Sequence, residues 1–208
     1  MKRSSDDSNS EDPQTAHSAK RKRNSSSLYL DALPCALRYE VSFMHRDIVT
    51  HVAVARGAEF ILTASRDGHV KFWRKMPTSI EFVKHYVAHL ERLVSFEVSS
   101  DDQRLLTAST DRTIKVFDIV QFDMSGMIEL DFMPSHATWL SHMKIVVGDK
   151  DKAVMRVYDM VDGTSSSCLT ELNIHSNPVH LIASNKQMNS MISVDVKGVI
   201  EYWDNRSD

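Results

Sequence analysis

The chain has 208 residues, 42% of them hydrophobic and 25% charged, with a formal net charge of −3. This apolar content suffices for a buried core in one large domain or two small ones, and no apolar run approaches the roughly 20 residues that a membrane helix needs. The net charge averages a local +2 over residues 1–27 and −5 over the rest, and a mildly acidic body does not advertise nucleic-acid binding.

Residues 1–27 almost lack aliphatic and aromatic side chains and are rich in Ser, Asp, Lys and Arg. Such a composition cannot bury enough surface to offset the entropy of ordering, so it predicts a disordered tail. Lys20, Arg21, Lys22 and Arg23 form a compact basic cluster, the kind of run that serves nuclear import, with a solvated charge run as the plain alternative. Ser4, Ser5, Ser8 and Ser10 stand among acidic residues, a context that suits acid-directed kinases. The first residues contain no apolar segment of the signal-peptide kind. Cys35 and Cys168 lie far apart without partners at metal spacing, so each reads as a buried free thiol. Together these features predict a soluble protein of the nucleus or cytosol.

Residues 28–44 form an apolar leading segment, broken by Pro34. Tyr39, Val41 and Phe43 alternate on one side, which predicts a strand from Tyr39 to Met44 that needs a sheet to join.

From His45 the chain repeats itself. Ser65 to Trp73 reads SRDGHVKFW, a strand end, a tight Asp67-Gly68 turn and a second strand. Ser109 to Asp118 reads STDRTIKVFD, with Asp111 and Phe117 in the places of Asp67 and Trp73, and weaker echoes follow at VMRVYD and GVIEYWD. His45 to His89 spans 44 residues, and the steps Trp73 to Phe117, Phe117 to Tyr158 and Tyr158 to Trp203 are 44, 41 and 45. Each unit parses as three or four short strands, with units at about 45–88, 89–134, 135–174 and 175–208. A period in the low forties with four strands, an initial His and a late aromatic is the pattern of WD repeats that form β-propeller blades. The predicted fold is therefore all-β, a WD-repeat propeller with about four blades visible. Seven blades are commonest in this fold, so four imply a partial propeller; a small ring closed by the leading strand is the alternative.

The resemblance to WD blades also implies roles. In such a blade a His, a hydroxyl on the second strand, a turn Asp and an aromatic on the third strand form a hydrogen-bonded chain. The first unit offers His45, Ser65, Asp67 and Trp73; the second offers His89, Ser109, Asp111 and Phe117, without an indole donor. In the third, Asp151 precedes Tyr158 by seven residues rather than six. In the fourth, His175 and Trp203 fit, but Lys197 holds the turn position and Asp195 lies two residues early. Ser, His and Asp in one blade imitate a hydrolase triad, yet a set that recurs in phase with the fold is structural. His85 and His89, four residues apart, fall on a strand and a following loop and do not make a zinc site. The sequence thus calls for no catalytic residue, no metal, no cofactor and no small-molecule substrate.

The segments MHRDIVTHV, EFILTASRDGHVKFW, IEFVKHYVAHL, KVFDIVQFDM and GVIEYWD, with the leading YLDALPCALRYEVSF, go further. They resemble the N-terminal WD-repeat part of the peptidyl-prolyl isomerases that carry WD repeats ahead of a cyclophilin domain. That resemblance implies a nuclear location and splicing factors as protein partners. The family's catalytic residues belong to the cyclophilin domain; Phe43-Met44-His45-Arg46 is the nearest string to its motif and lies in the leading strand and first blade, so isomerase chemistry is not carried over to these residues. A front fragment of an active isomerase and a generic WD adaptor, such as a ubiquitin-ligase substrate receptor, are the other readings. Candidate docking residues in the blade loops are Arg46, Asp47, Arg66, His69, Glu91, Arg92, Arg112 and Lys150.

Overall fold

A computed structural model describes residues 45–141, 143–160, 168–185 and 190–204. The predicted tail, the Lys20–Arg23 cluster, Cys35 and the Tyr39–Met44 strand lie outside the described residues.

The described residues form strands only. The first sheet contains β1 (Val49–Ala55), β2 (Phe60–Ser65), β3 (His69–Lys75) and β4 (Ile80–Val87), and the second β5 (Leu93–Val98), β6 (Arg104–Ser109), β7 (Thr113–Asp118) and β8 (Asp123–Glu129). The third contains β9 (Pro134–Trp139), β10 (Lys144–Asp149), β11 (Met155–Asp159) and β12 (Cys168–Leu172). The fourth has three strands among the described residues, β13 (Val179–Asn185), β14 (Ser190–Asp195) and β15 (Ile200–Asp204). Every neighbouring pair is antiparallel and sequential in the chain, the meander that short loops and alternating patterns impose. Each sheet is one propeller blade.

Register decides which side chains meet the next blade. Cross-strand partners share a face, so Ala53, Leu62 and Phe72 form one row and Val54, Ile61, Trp73 and Phe82 the opposite one. The first row, with Ala64 and Val70, packs on Leu105 and Phe117 of the second blade. Leu106, Val116, Ala108 and Ile114 of that blade in turn pack on Trp139, Ile145 and Tyr158 of the third. Val146, Met155 and Val157 then pack on Val179, Ile182, Met191 and Trp203 of the fourth. The core therefore consists of three inter-blade layers, and the innermost strands follow one another, β1 against β5, β5 against β9 and β9 against β13.

Gly68 is the turn residue that this arrangement cannot replace. Its φ is +81°, and a Cβ there would stand 2.3 Å from the carbonyl oxygen of His89. The Gly68 carbonyl accepts from the N–H groups of Ala88 and His89, both at 3.1 Å, which ties the first blade's turn to the entry of the second. Arg112 holds the equivalent place in the second blade with φ 62°.

One expectation fails. Cys168 is free but exposed, because β12 is an outermost strand and four of its five residues face solvent.

Candidate functional site: hydrogen-bonded chains in the blades and a basic rim

In the first blade the chain of hydrogen bonds has five members. Trp73 Nε1–H donates to Thr63 Oγ1 at 2.9 Å, leaving the Thr63 hydroxyl to donate to His45 Nε2 at 2.8 Å. His45 Nδ1–H then donates to Ser65 Oγ at 2.8 Å, and the Ser65 hydroxyl donates to Asp67. This is the one direction in which each hydroxyl both accepts and donates. It brings His45, Ser65, Asp67 and Trp73 together, but Trp73 reaches the set only through Thr63. Sequence reasoning passed over Thr63, although it stands two residues before Ser65, on the same face of a strand.

The second blade uses the same place differently. His89 Nε2 meets Thr107 Oγ1 at 2.9 Å, not Ser109, and His89 Nδ1–H donates to Asp111 at 3.1 Å. Ser109 instead donates to the carbonyl of Arg92 at 3.0 Å, and Phe117 packs in the core with no polar end to offer. Asp111 also accepts from the Thr113 hydroxyl at 2.7 Å and from the N–H of Leu90 at 3.1 Å. Burial pushes the His89 imidazole below its ordinary pKa even though Asp111 pulls it up, so this pair is a neutral imidazole donating to a carboxylate.

In the fourth blade Ser193 takes the place of Thr63. Trp203 Nε1–H donates to Ser193 Oγ at 3.1 Å, and the Ser193 hydroxyl meets His175 Nε2 at 2.7 Å. The hydrogen-bonded chain stops at His175, whose Nδ1 has no hydrogen-bond partner among the described residues; the blade's carboxylate is Asp195, which pairs with Val179 as Ser65 pairs with Val49. Asp195 accepts from the N–H groups of Lys197 at 2.8 Å and Val199 at 2.9 Å and from Asn177 Nδ2 at 3.0 Å. Its early position in the sequence thus does the work of a turn Asp, and Lys197 contributes only its backbone.

Among the described residues the third blade has no such chain. Val147 pairs with Arg156 where Thr63 pairs with Lys71, so the central hydroxyl is absent. Buried Asp149, not Asp151, is its carboxylate: it accepts from the N–H groups of Asp151 at 2.9 Å and Lys152 at 3.1 Å and from Arg156 Nη1 at 3.3 Å. The guanidinium also donates to Glu171 at 2.9 Å and lies 4.3 Å from the Phe132 ring centroid. An ion pair with a cation–π contact replaces the imidazole relay.

Among the described residues no group of three or more His, Cys, Asp or Glu could hold a metal ion. His85 and His69 do meet, at 3.0 Å, in a pocket that also takes His45, Arg46 and Lys71 into its wall.

The loop residues fall into one line. In every blade the turn after the second strand bonds to the segment entering the blade: Arg66 N–H to Ile48 O, Thr110 N–H to Arg92 O, Lys150 N–H to Met133 O and Val196 N–H to Pro178 O, at 2.9–3.1 Å. Arg46, Arg66, Arg92, Arg112 and Lys150 are therefore exposed on the same rim, beside Glu91 and Asp47. Asp47 pairs with Arg66 at 3.2 Å, and Glu91 accepts from the Thr110 hydroxyl at 2.7 Å.

Comparison with known proteins agrees with this geometry. The WD domain, G-beta repeat family matches residues 39–74 and 80–118. Peptidyl-prolyl cis-trans isomerase cyp15 of Rhizopus delemar is 44% identical over 85% of this chain and 28% of its own length. Peptidylprolyl isomerase domain and WD repeat-containing protein 1 of Homo sapiens is 38% identical over 85% of this chain, again 28% of its own length. This chain thus spans under a third of these relatives. The C-terminal WD40 domain of Sif2 superposes with a TM-score of 0.64 at 17% identity, covering 80% of this chain and 46% of that one. The chain is a WD-repeat protein related to the peptidyl-prolyl isomerases that carry WD repeats.

Proposed function

We propose that this chain is a non-catalytic protein-interaction module of the nucleus, docking splicing factors through the basic rim of its blades. The observation that carries the reading is a division of labour among polar side chains. The Ser, Thr, His and Asp residues that resemble catalytic sets are spent inside the blades, while Arg46, Arg66, Arg92, Arg112 and Lys150 line one exposed edge. Propeller loops held on a rigid sheet scaffold suit peptide docking, and this rim favours an acidic partner. Kinship with WD-containing isomerases supports the splicing role, and the Lys20–Arg23 cluster supports nuclear import. A pull-down from nuclear extract should recover splicing components; recovery of none would sink the proposal.

A second reading has its own support. The relatives are named isomerases and are more than three times as long as the stretch matched here, which supports reading this chain as the front part of an isomerase. On this reading too, the described residues accelerate no X-Pro isomerisation. A proline-isomerisation assay on the 208-residue chain should show the uncatalysed rate, and catalysis by it would overturn both readings.

A further inference from the structure

The basic edge runs unbroken from the first blade to the third. A Cβ on Gly68 would stand 2.9 Å from the Glu91 carbonyl oxygen, so the first blade's turn abuts the entry of the second. The Arg112 carbonyl accepts from the Leu130 N–H at 2.8 Å, which joins the second blade's turn to the entry of the third. Acidic neighbours cancel part of the charge. Asp47 pairs with Arg66, Glu91 accepts from Thr110, and Asp67 and Asp111 are taken up by hydrogen bonds inside the blades. On the third blade, exposed Asp131 and Asp151 offset Lys150 and Lys152. What remains is Arg46, Arg92 and Arg112, whose guanidinium groups make no hydrogen bond or ion pair among the described residues. Arg112 is held at φ 62° where the first blade has Gly68, a left-handed conformation that disfavours a side chain.

The same sequence carries a segment of opposite sign. Ser4 to Asp12 reads SSDDSNSED, four carboxylates and four serines with no basic residue, and it lies outside the described residues. Its tether begins on the edge itself, since the Arg66 N–H donates to the Ile48 carbonyl at 2.9 Å, beside His45 and Arg46. Thirty-two residues separate Asp12 from His45. At up to about 3.3–3.6 Å per residue they bring the segment to any point of the edge, with the high effective concentration of a linked ligand. Its serines add a means of control. A kinase that transfers the γ-phosphoryl group of ATP to a serine oxygen, releasing ADP and the hydroxyl proton, adds about −1.5 to −2 charge and three acceptor oxygens. Guanidinium groups bind such oxygens in bidentate pairs.

We propose that Ser4–Asp12 docks on Arg46, Arg92 and Arg112 of its own chain, that phosphorylation of its serines tightens the contact, and that the docked segment keeps acidic partners off this edge. The proposal rests on the reading of the edge as a docking surface for acidic partners.

A spin label on Asn9→Cys, in the 208-residue chain with Cys35→Ser and Cys168→Ser, tests the contact by nuclear magnetic resonance. After treatment with an acid-directed kinase, the amide signals of Arg46, Arg92 and Arg112 should broaden beyond detection, while Gly57 and Asp102, in turns at the other ends of the strands, stay sharp. Arg92→Glu with Arg112→Glu should restore the lost signals without changing the β circular dichroism spectrum, and Ser→Ala at positions 4, 5, 8 and 10 should abolish the response to kinase. A labelled peptide of residues 2–14, phosphorylated on its four serines, should bind the untreated chain about tenfold more tightly than the phosphorylated chain, whose own segment competes. No broadening after phosphorylation, broadening that survives the charge reversal, or equal peptide binding by both forms would each overturn the proposal. These readouts use no splicing component, so they fail or succeed separately from the pull-down.

Discussion

Thr63 is the residue on which the best-formed blade turns, because it joins an indole donor to an imidazole acceptor. Thr63→Val keeps the shape and strands both partners, so it should lower the unfolding free energy by about 1–3 kcal/mol. Thr107→Val, with no indole to orphan, should cost about 1 kcal/mol less; urea denaturation of both variants checks the order. The imidazoles set the acid response. Burial pushes His136 down to about 4, with His180 and His51 adding to the effect, and its Nδ1 is buried without a partner among the described residues. Burial lowers His51 and His89 as well. An unfolded histidine titrates near about 6.5, so as acid is added the unfolded chain takes up protons first. The stability due to these groups is intact above that pH and is lost as pH falls toward 4. Asp67, although burial opposes it, is held below the usual carboxylate range by Ser65 and the His69 N–H, which adds to the loss at still lower pH. Urea midpoints at pH 7.5, 6 and 5 should therefore fall in order, and His136→Gln should flatten the decline. A midpoint independent of pH would contradict this assignment.

At the scale of the element, blade spacing and strand order were legible because alternation and turn residues recur in phase. The stretches read as a strand, a turn and a second strand around Asp67 and Asp111 are β2 and β3 in the first blade and β6 and β7 in the second. The hydrogen-bonding sets were legible only where side-chain types matched the repeat. Asp149 escaped notice because it does a turn Asp's work from the position of Ser65, with a cation and not an imidazole as partner. Asp195 stands two residues ahead of the turn position for the same reason, since backbone donors come to the carboxylate rather than the reverse. Two substitutions test this level. Arg156→Leu removes the cation from Asp149, which keeps its two backbone donors, and should cost about 1–3 kcal/mol. Gly68→Ala meets both a left-handed backbone and the His89 carbonyl, so at least about 1–3 kcal/mol should be lost. A thermal melt of Gly68→Ala that matches the wild type would show that the turn and the second blade's entry can part without penalty.

For the molecule as a whole, the four sheets keep the fastening side chains inside the blades and leave the basic side chains of their loops exposed. Interior hydroxyl, imidazole and carboxylate groups fasten the first, second and fourth blades and an Asp149–Arg156 ion pair the third, while Arg46, Arg66, Arg92, Arg112 and Lys150 lie exposed along one edge. The sequence could number the blades but not say that Arg46, Arg66, Arg92, Arg112 and Lys150 share a rim, because that depends on five separate loops meeting through backbone bonds. The exposure of Ile192 and Tyr202, 38% and 61%, was equally hidden, since in the sequence they look like any buried alternating pair. The most direct test of the separation between fastening and binding is partner recovery from nuclear extract by wild type and Thr63→Val, compared well below both melting temperatures. The same proteins should be recovered in equal amounts although the variant melts lower; loss of the partners with an unchanged melting temperature would make the Thr63 set a functional site and contradict the structural role assigned to it.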